Sequence, residues 1–121
     1  MLLPALNFNG EAEQAIDFYA NIFGYRIRDG DMDQWSDGSV VYAEIIVYGS
    51  RLIIADVEDD DDHFAGFTLS IYLTDEDELR RVYAALSDGG EIIMLPQRTL
   101  WSHCYGMLKD KFGITWQFEL E

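Results

Sequence analysis

The stretch ALNFNGEAEQAIDFYANIFG, residues 5–24, holds a strand, a turn and a helix in close succession. Asn9 is placed to cap the helix, with Glu11 and Glu13 near the positive end of its dipole. Ala12, Ala15, Ile16, Tyr19, Ile22 and Phe23 recur at three-to-four spacing, the stripe of a helix with one buried face, and Gly24 supplies the stop. A second helix answers it further along. Thr74 opens it, Asp75, Glu76 and Asp77 fill its first turn, Leu79, Val82, Tyr83 and Leu86 make the stripe, and Gly89-Gly90 ends it. Arg80 and Arg81 are left to face solvent. Cap and stop glycine are 15 residues apart in each helix, from 9 to 24 and from 74 to 89.

The segments around the helices alternate or run apolar and read as strands. Leu2–Phe8 precedes the first helix; Tyr25–Asp29, Val40–Tyr48 and Arg51–Val57 follow it, with a hairpin turn at Gly49-Ser50. Phe67–Leu73 precedes the second helix; Glu91–Leu95, Ser102–Leu108 and Ile114–Leu120 follow it. The order is strand, helix, three strands, and then the same again. The class is therefore α+β, with two tandem βαβββ modules in one domain spanning 1–121. Residue identity between the halves is faint, so the repetition is one of architecture. An unrelated α+β meander is the other arrangement this order allows. The first module covers 1–57 and the second 66–121. Between them, 58–65 begins with Glu58-Asp59-Asp60-Asp61-Asp62-His63, a run of like charge that stays solvated and reads as a linker. It lacks the glycine turn and spaced oxygen ligands of a calcium loop.

With 121 residues, 49% hydrophobic, the chain can build one real core despite its charge. Eight Lys and Arg against 23 Asp and Glu give a net charge of −15, a surface that repels phosphate backbones and anionic membranes. Nucleic acid and membrane are thus excluded as partners. No apolar run approaches the roughly 20 residues of a membrane span, and MLLPALNFNG lacks the basic flank of a signal peptide. The expected setting is soluble and cytoplasmic. A single cysteine, Cys104, excludes an internal disulfide or a Cys-rich zinc site.

Two tandem units of this kind, together with ALNFNGEAEQAIDFYANIFG, GSRLIIAD (49–56), GFTLSIYL (66–73) and TLWSHCYGMLKDKFGITWQFEL (99–120), resemble the vicinal-oxygen-chelate superfamily of glyoxalases, bleomycin resistance proteins and dioxygenases. The closing W-x3-YG-x3-DKFG-x2-W pattern is similar to that of its PhnB-like branch. The resemblance implies a cup-shaped mixed sheet that holds a small molecule, often with a divalent metal, in a protein working as a homodimer. Members of this branch are often labelled methyltransferase-like, yet this chain has no glycine-rich loop for the usual methyl donor.

Carried over residue by residue, the resemblance puts Pro4, Thr68 (or Ser70), Asp56 and Gln117 where a metal-using relative has ligands. Proline cannot ligate through its side chain, threonine is a poor ligand and the glutamine amide a weak one. The expectation is no cofactor and no metal. His103 and Cys104 are strand neighbours pointing to opposite faces, so they make neither a metal pair nor a Cys–His nucleophile. No catalytic group is assigned. The expected lining of the cup is Leu6, Phe8, Asp56, Thr68, Ser70, Tyr72, Trp101, His103, Tyr105, Gln117 and Glu119, a partly apolar pocket with a few polar groups. Leu52 and Ile54 are expected on the same side as Asp56. Three functions compete: metal-independent small-molecule binding, a metal-dependent lyase, isomerase or resistance enzyme with a displaced site, and an interaction protein whose cup is filled core.

Overall fold

The computed structural model describes residues 1–25, 32–57 and 64–121. The acidic run 58–63, and all of the expected strand Tyr25–Asp29 beyond its first residue, lie outside the described residues. Contacts divide the chain into two compact units, Met1–Asp62 and His63–Glu121. The fold is α+β, and each unit carries one four-stranded mixed sheet and one helix.

In the first unit the elements are β1 (Ala5–Phe8), α1 (Ala12–Phe23), β2 (Met32–Gln34), β3 (Val40–Val47) and β4 (Ser50–Asp56), in the sheet order β1-β4-β3-β2. β1 runs parallel to β4, and the other pairs are antiparallel. The hairpin between β3 and β4 turns at Tyr48-Gly49, one residue earlier than expected, because both take positive φ, 48° and 82°. The helix stripe Ala12, Ala15, Ile16, Tyr19 and Ile22 is buried, and α1 packs on β3 and β4. Val40, Ala43, Ile45, Val47, Leu52 and Ile54 are buried on β3 and β4.

Parity along β1 differs from the expectation. Leu6 and Phe8 are only 2% and 3% exposed, while Ala5 and Asn7 are exposed. Leu6 pairs with Ile54 and Phe8 with Asp56, so these side chains share the face that carries the buried core. Burying a Leu and a Phe under the helix is worth about 3–6 kcal/mol, which fixes the register against a one-residue slip. Leu6, Phe8, Leu52 and Ile54 therefore belong to the core beside α1 and not to the opposite, open face.

The second unit repeats the plan with β5 (Leu69–Leu73), α2 (Glu76–Ser87), β6 (Glu91–Gln97), β7 (Tyr105–Lys109) and β8 (Thr115–Leu120), ordered β5-β8-β7-β6. Here β5 is parallel to β8. Asp75, one residue later than expected, caps α2 by accepting from the N–H groups of Asp77 and Glu78. Arg80 and Arg81 are exposed and pair with Glu76 and Glu78 on their own helix. Ile71, Leu108, Trp116 and Phe118 form the buried sheet face with Leu79, Val82, Tyr83 and Leu86 of α2. The Tyr83 ring meets Phe118 edge-on, and its hydroxyl lies 2.9 Å from Met94 O and 3.1 Å from Met107 O. That contact ties α2 to both β6 and β7. It needs Gly106: a Cβ there would stand 3.1 Å from the Tyr83 ring and 3.3 Å from Pro96. The register of β6 slips between Met94 and Gln97, opposite Gly106, where Pro96 has no N–H to waste.

Candidate functional site

Asp56 was the one carboxylate expected among the metal-ligand positions, and the structure gives it another task. Oδ1 accepts from the N–H groups of Gly10 (2.9 Å) and Ala12 (3.1 Å), and Oδ2 from that of Val40 (2.9 Å). Helix N-termini leave donors without intrahelical partners. Glu11 holds the cap position without a side-chain bond, and Asn9 lies further out than a cap. A residue more than forty positions away therefore caps α1 and pins the start of β3 to it. Asp56 is a fold-holding group, and both of its carboxylate oxygens are already engaged by the backbone.

A cleft of about 410 Å³ beside it is lined by Asn9, Gly10, Trp35, Asp37, Ser39, Asp56 and Val57. Its acids are engaged with the chain itself: Asp37 accepts from the Ser39 N–H and hydroxyl, which hold its carboxyl below the usual range.

The open face of the second sheet is different. Tyr72 of β5, Glu119 of β8 and Tyr105 of β7 stand opposite one another in a single row. The next row is Ser70, Gln117 and Met107. Directly paired residues share a face, and these alternate with the buried Ile71, Phe118 and Gly106, so both rows lie on the side away from α2. The Tyr105 hydroxyl donates to Gln117 Oε1 at 2.8 Å. Burial, then the charge of Glu119, then Tyr72 push the Tyr105 phenol above its ordinary value. The Trp101 ring, 64% exposed, stands edge-on to Tyr105 with centroids 5.6 Å apart. Tyr72 is 52% exposed. Among the described residues no side chain hydrogen-bonds or ion-pairs with the Glu119 carboxylate; the Tyr105 hydroxyl opposite it is turned to Gln117. The row thus presents three ring surfaces, one carboxylate with open acceptor positions and one amide whose oxygen is already bonded.

Of the expected lining residues, Ser70, Tyr72, Tyr105, Gln117 and Glu119 come together here with Trp101. Trp101 and His103 lie in the segment before β7, which begins three residues later than expected. Ser102 causes the delay: it is buried, with its hydroxyl donating to Cys104 O at 2.9 Å and its own N–H bonded to Thr99 Oγ1. His103 and Thr68 are exposed outside the strands. Cys104 is fully buried, and burial raises its thiol above the ordinary value, away from nucleophilic use.

One further carboxylate escaped the sequence reading. Asp110, 3% exposed, accepts from the N–H groups of Phe112 (2.9 Å) and Ile114 (3.0 Å) through Oδ1 and from Trp116 Nε1 (2.8 Å) through Oδ2. The DKFG-x2-W string is thus a turn wound around one buried carboxylate. The demand of a buried indole N–H for an acceptor was the available signal.

The positions where a metal-using relative has ligands can be tested for fit. Pro4 offers no donor, Thr68 is exposed beside β5, both oxygens of Asp56 are engaged by backbone donors, and Gln117 Oε1 accepts from Tyr105. These residues do not suit a divalent ion. Among the described residues no three His, Cys, Asp or Glu side chains converge.

A sequence profile described as the Glyoxalase/Bleomycin resistance protein/Dioxygenase superfamily matches residues 4–118. Protein YjdN of Escherichia coli (strain K12) is 28% identical, over 98% of this chain and 94% of its own. Two solved structures share 26% identity and superpose with a TM-score of 0.87. One is titled a putative 3-demethylubiquinone-9 3-methyltransferase, PhnB protein, from Bacillus cereus, covering 99% of this chain and 98% of its own. The other is protein PA1353 from Pseudomonas aeruginosa, covering 100% and 97%. TioX from Micromonospora sp. ML1, 19% identical over 99% and 98% with a TM-score of 0.66, shares the fold. No helix among the described residues is long and apolar enough to cross a membrane.

Proposed function

Because the chain belongs to the glyoxalase/bleomycin resistance protein/dioxygenase superfamily, we propose that it binds a small organic molecule on the open face of its second sheet, without a metal ion taking part. The observation that carries this reading is the row Tyr72–Glu119–Tyr105 with Gln117 and Trp101 beside it. Rings of this size left half-exposed on a sheet face, interleaved with polar groups, make a surface that gains from being covered. Binding needs shape and a few oriented polar groups, and no nucleophile or ion. The same reading has the protein working as a cytoplasmic homodimer. Exposed Ile92, Ile93 and Leu95 on the edge strand β6 support an interface between copies, which sedimentation would report.

The test is a thermal-shift screen of planar aromatic compounds against protein stripped with chelator. A compound at a hundred times its Kd raises stability by about 2.7 kcal/mol. Stabilisation that Gln117→Ala or Tyr72→Ala abolishes is the expected result. Stabilisation indifferent to both variants, or none across the screen, refutes the reading. Elemental analysis of protein purified without added metal runs alongside; a stoichiometric transition metal would favour the metal-dependent enzyme instead.

A further inference from the structure

The open rows carry a definite sign. Glu119 sits between two tyrosine rings, directly opposite Tyr72 on one side and Tyr105 on the other. Among the described residues its strand neighbours offer aromatic rings and no positive charge: Lys109, on the same parity of β7, is four residues from Tyr105, about 13 Å along the strand. By contrast Glu44, on the open face of the first sheet, is neutralised by Arg51 and also accepts from the Tyr42 hydroxyl at 2.9 Å. Those partners hold the Glu44 carboxyl below its usual range. Glu119 has no such pair among the described residues. Aromatic faces attract cations through their quadrupole, and a carboxylate among them adds a counter-charge. A net charge of −15 raises the local concentration of cations and lowers that of anions.

We infer that the ligand of this face is an organic cation, an amine or quaternary nitrogen carried on a planar ring, with its charge against Glu119 and its ring against Tyr72, Tyr105 and Trp101. This rests on the binding reading above and adds the ligand's class to it. Gln117, its oxygen held by Tyr105, turns its amide N–H groups to an acceptor on the same ligand. Anionic and purely apolar molecules of the same shape are discriminated against, the first by charge and the second by lack of any partner for Glu119.

The experiment uses three probes of nearly equal shape, N-methylquinolinium, 1-methylnaphthalene and 1-naphthoate, titrated into labelled full-length protein and followed by amide and indole N–H resonances. N-methylquinolinium is expected to move the Trp101 indole N–H and the amides of Tyr72, Tyr105 and Glu119, and to bind about tenfold more tightly than 1-methylnaphthalene. Glu119→Gln removes that preference. Glu91→Gln, which deletes the same charge at the exposed start of β6, keeps it. Equal or tighter binding of the neutral or anionic probe at the same resonances overturns the cation assignment and leaves the binding reading standing. Equal losses in the two variants overturn it as well, since the preference then belongs to net charge and not to Glu119. Absence of any shift on this face from all three probes also overturns it, while the library screen decides the binding reading separately.

Discussion

Replacing Asp110 by Asn exchanges one heavy atom and should unsettle the closing third of the second module. Asp110 Oδ1 serves the Phe112 and Ile114 N–H groups, and an Asn oxygen can keep both, at the weaker strength of a neutral acceptor. The other oxygen is the difficulty. Asn puts an NH2 group 2.8 Å from Trp116 Nε1, donor against donor, in a position 3% exposed. Losing a charge-assisted bond and stranding a buried donor costs about 2–3 kcal/mol. At about 2.1 cal/mol/K per residue, a chain of 121 residues loses about 10 °C of Tm for 2.5 kcal/mol. Asp110→Ala, which strands all three donors, should cost about 4 kcal/mol and about 16 °C by the same reasoning. The assay is urea unfolding followed by circular dichroism, with Trp116→Phe and the double variant completing a cycle. Removing the indole N–H should hurt less once Asn is in place, giving a coupling of about 1–2 kcal/mol at an unchanged m-value. A Tm for Asp110→Asn within about 2 °C of wild type, or zero coupling to Trp116, would refute the idea that this carboxylate organises the turn.

Asp56→Ala should cost about 2–4 kcal/mol by freeing the Gly10, Ala12 and Val40 N–H groups, with hydrogen exchange accelerating first in the opening turn of α1. Tyr83→Phe should cost about 1 kcal/mol through the lost carbonyl contacts, and Gly106→Ala more, because its Cβ presses on a packed ring; denaturant midpoints decide both. Burial raises Cys104, Tyr83 and Tyr105 above their ordinary values of 9.0, 10.0 and 10.0. Each is a group whose folded form holds its proton more tightly, so its contribution is fully present below the ordinary value and is lost as pH rises through the folded one. Stability measured by urea midpoint should therefore be flat from pH 7 to about 9 and fall above it, with Cys104→Ala removing the earliest part of the fall.

The helices and the doubled strand order were legible because periodic burial writes itself into sequence: Ile16, Tyr19 and Ile22, or Val82, Tyr83 and Leu86, are chosen by the face they occupy. The rows of the second sheet's open face were legible for the same reason, since Ile71, Trp116 and Phe118 alternate strictly with polar partners. Leu6 and Phe8 defeated the parity argument because β1 is short and the turn after it passes through Gly10 with φ of 87°, so counting back from the helix slips by one. The capping role of Asp56 was missed for a deeper reason. A carboxylate that caps a helix 44 positions away leaves no local spacing to read, and its residue type is equally that of a metal ligand. The late start of β7 was hidden in the same way, in side chain–backbone bonds of Thr99 and Ser102 that no pattern of hydropathy records.

The two modules share a plan, yet the proposed binding face lies in one of them. In matching register, Ser70 and Gln117 of the second sheet stand where the first has Ala5 and Ile53, and Tyr72 and Glu119 where it has Asn7 and Ala55. The first sheet's open face is thus largely small or apolar along those strands, and its charged pair, Glu44 with Arg51, is mutually satisfied. A sheet face that closes its own charges asks for nothing further; one that leaves a carboxylate between two rings does. Duplication of a fold therefore need not duplicate a site. The first module spends its distinctive acid, Asp56, on holding α1 and β3 together, and the second spends Asp110 on its turn. Glu119, which neither caps a helix nor braces a turn, is the acid on these central strands still free to meet a ligand.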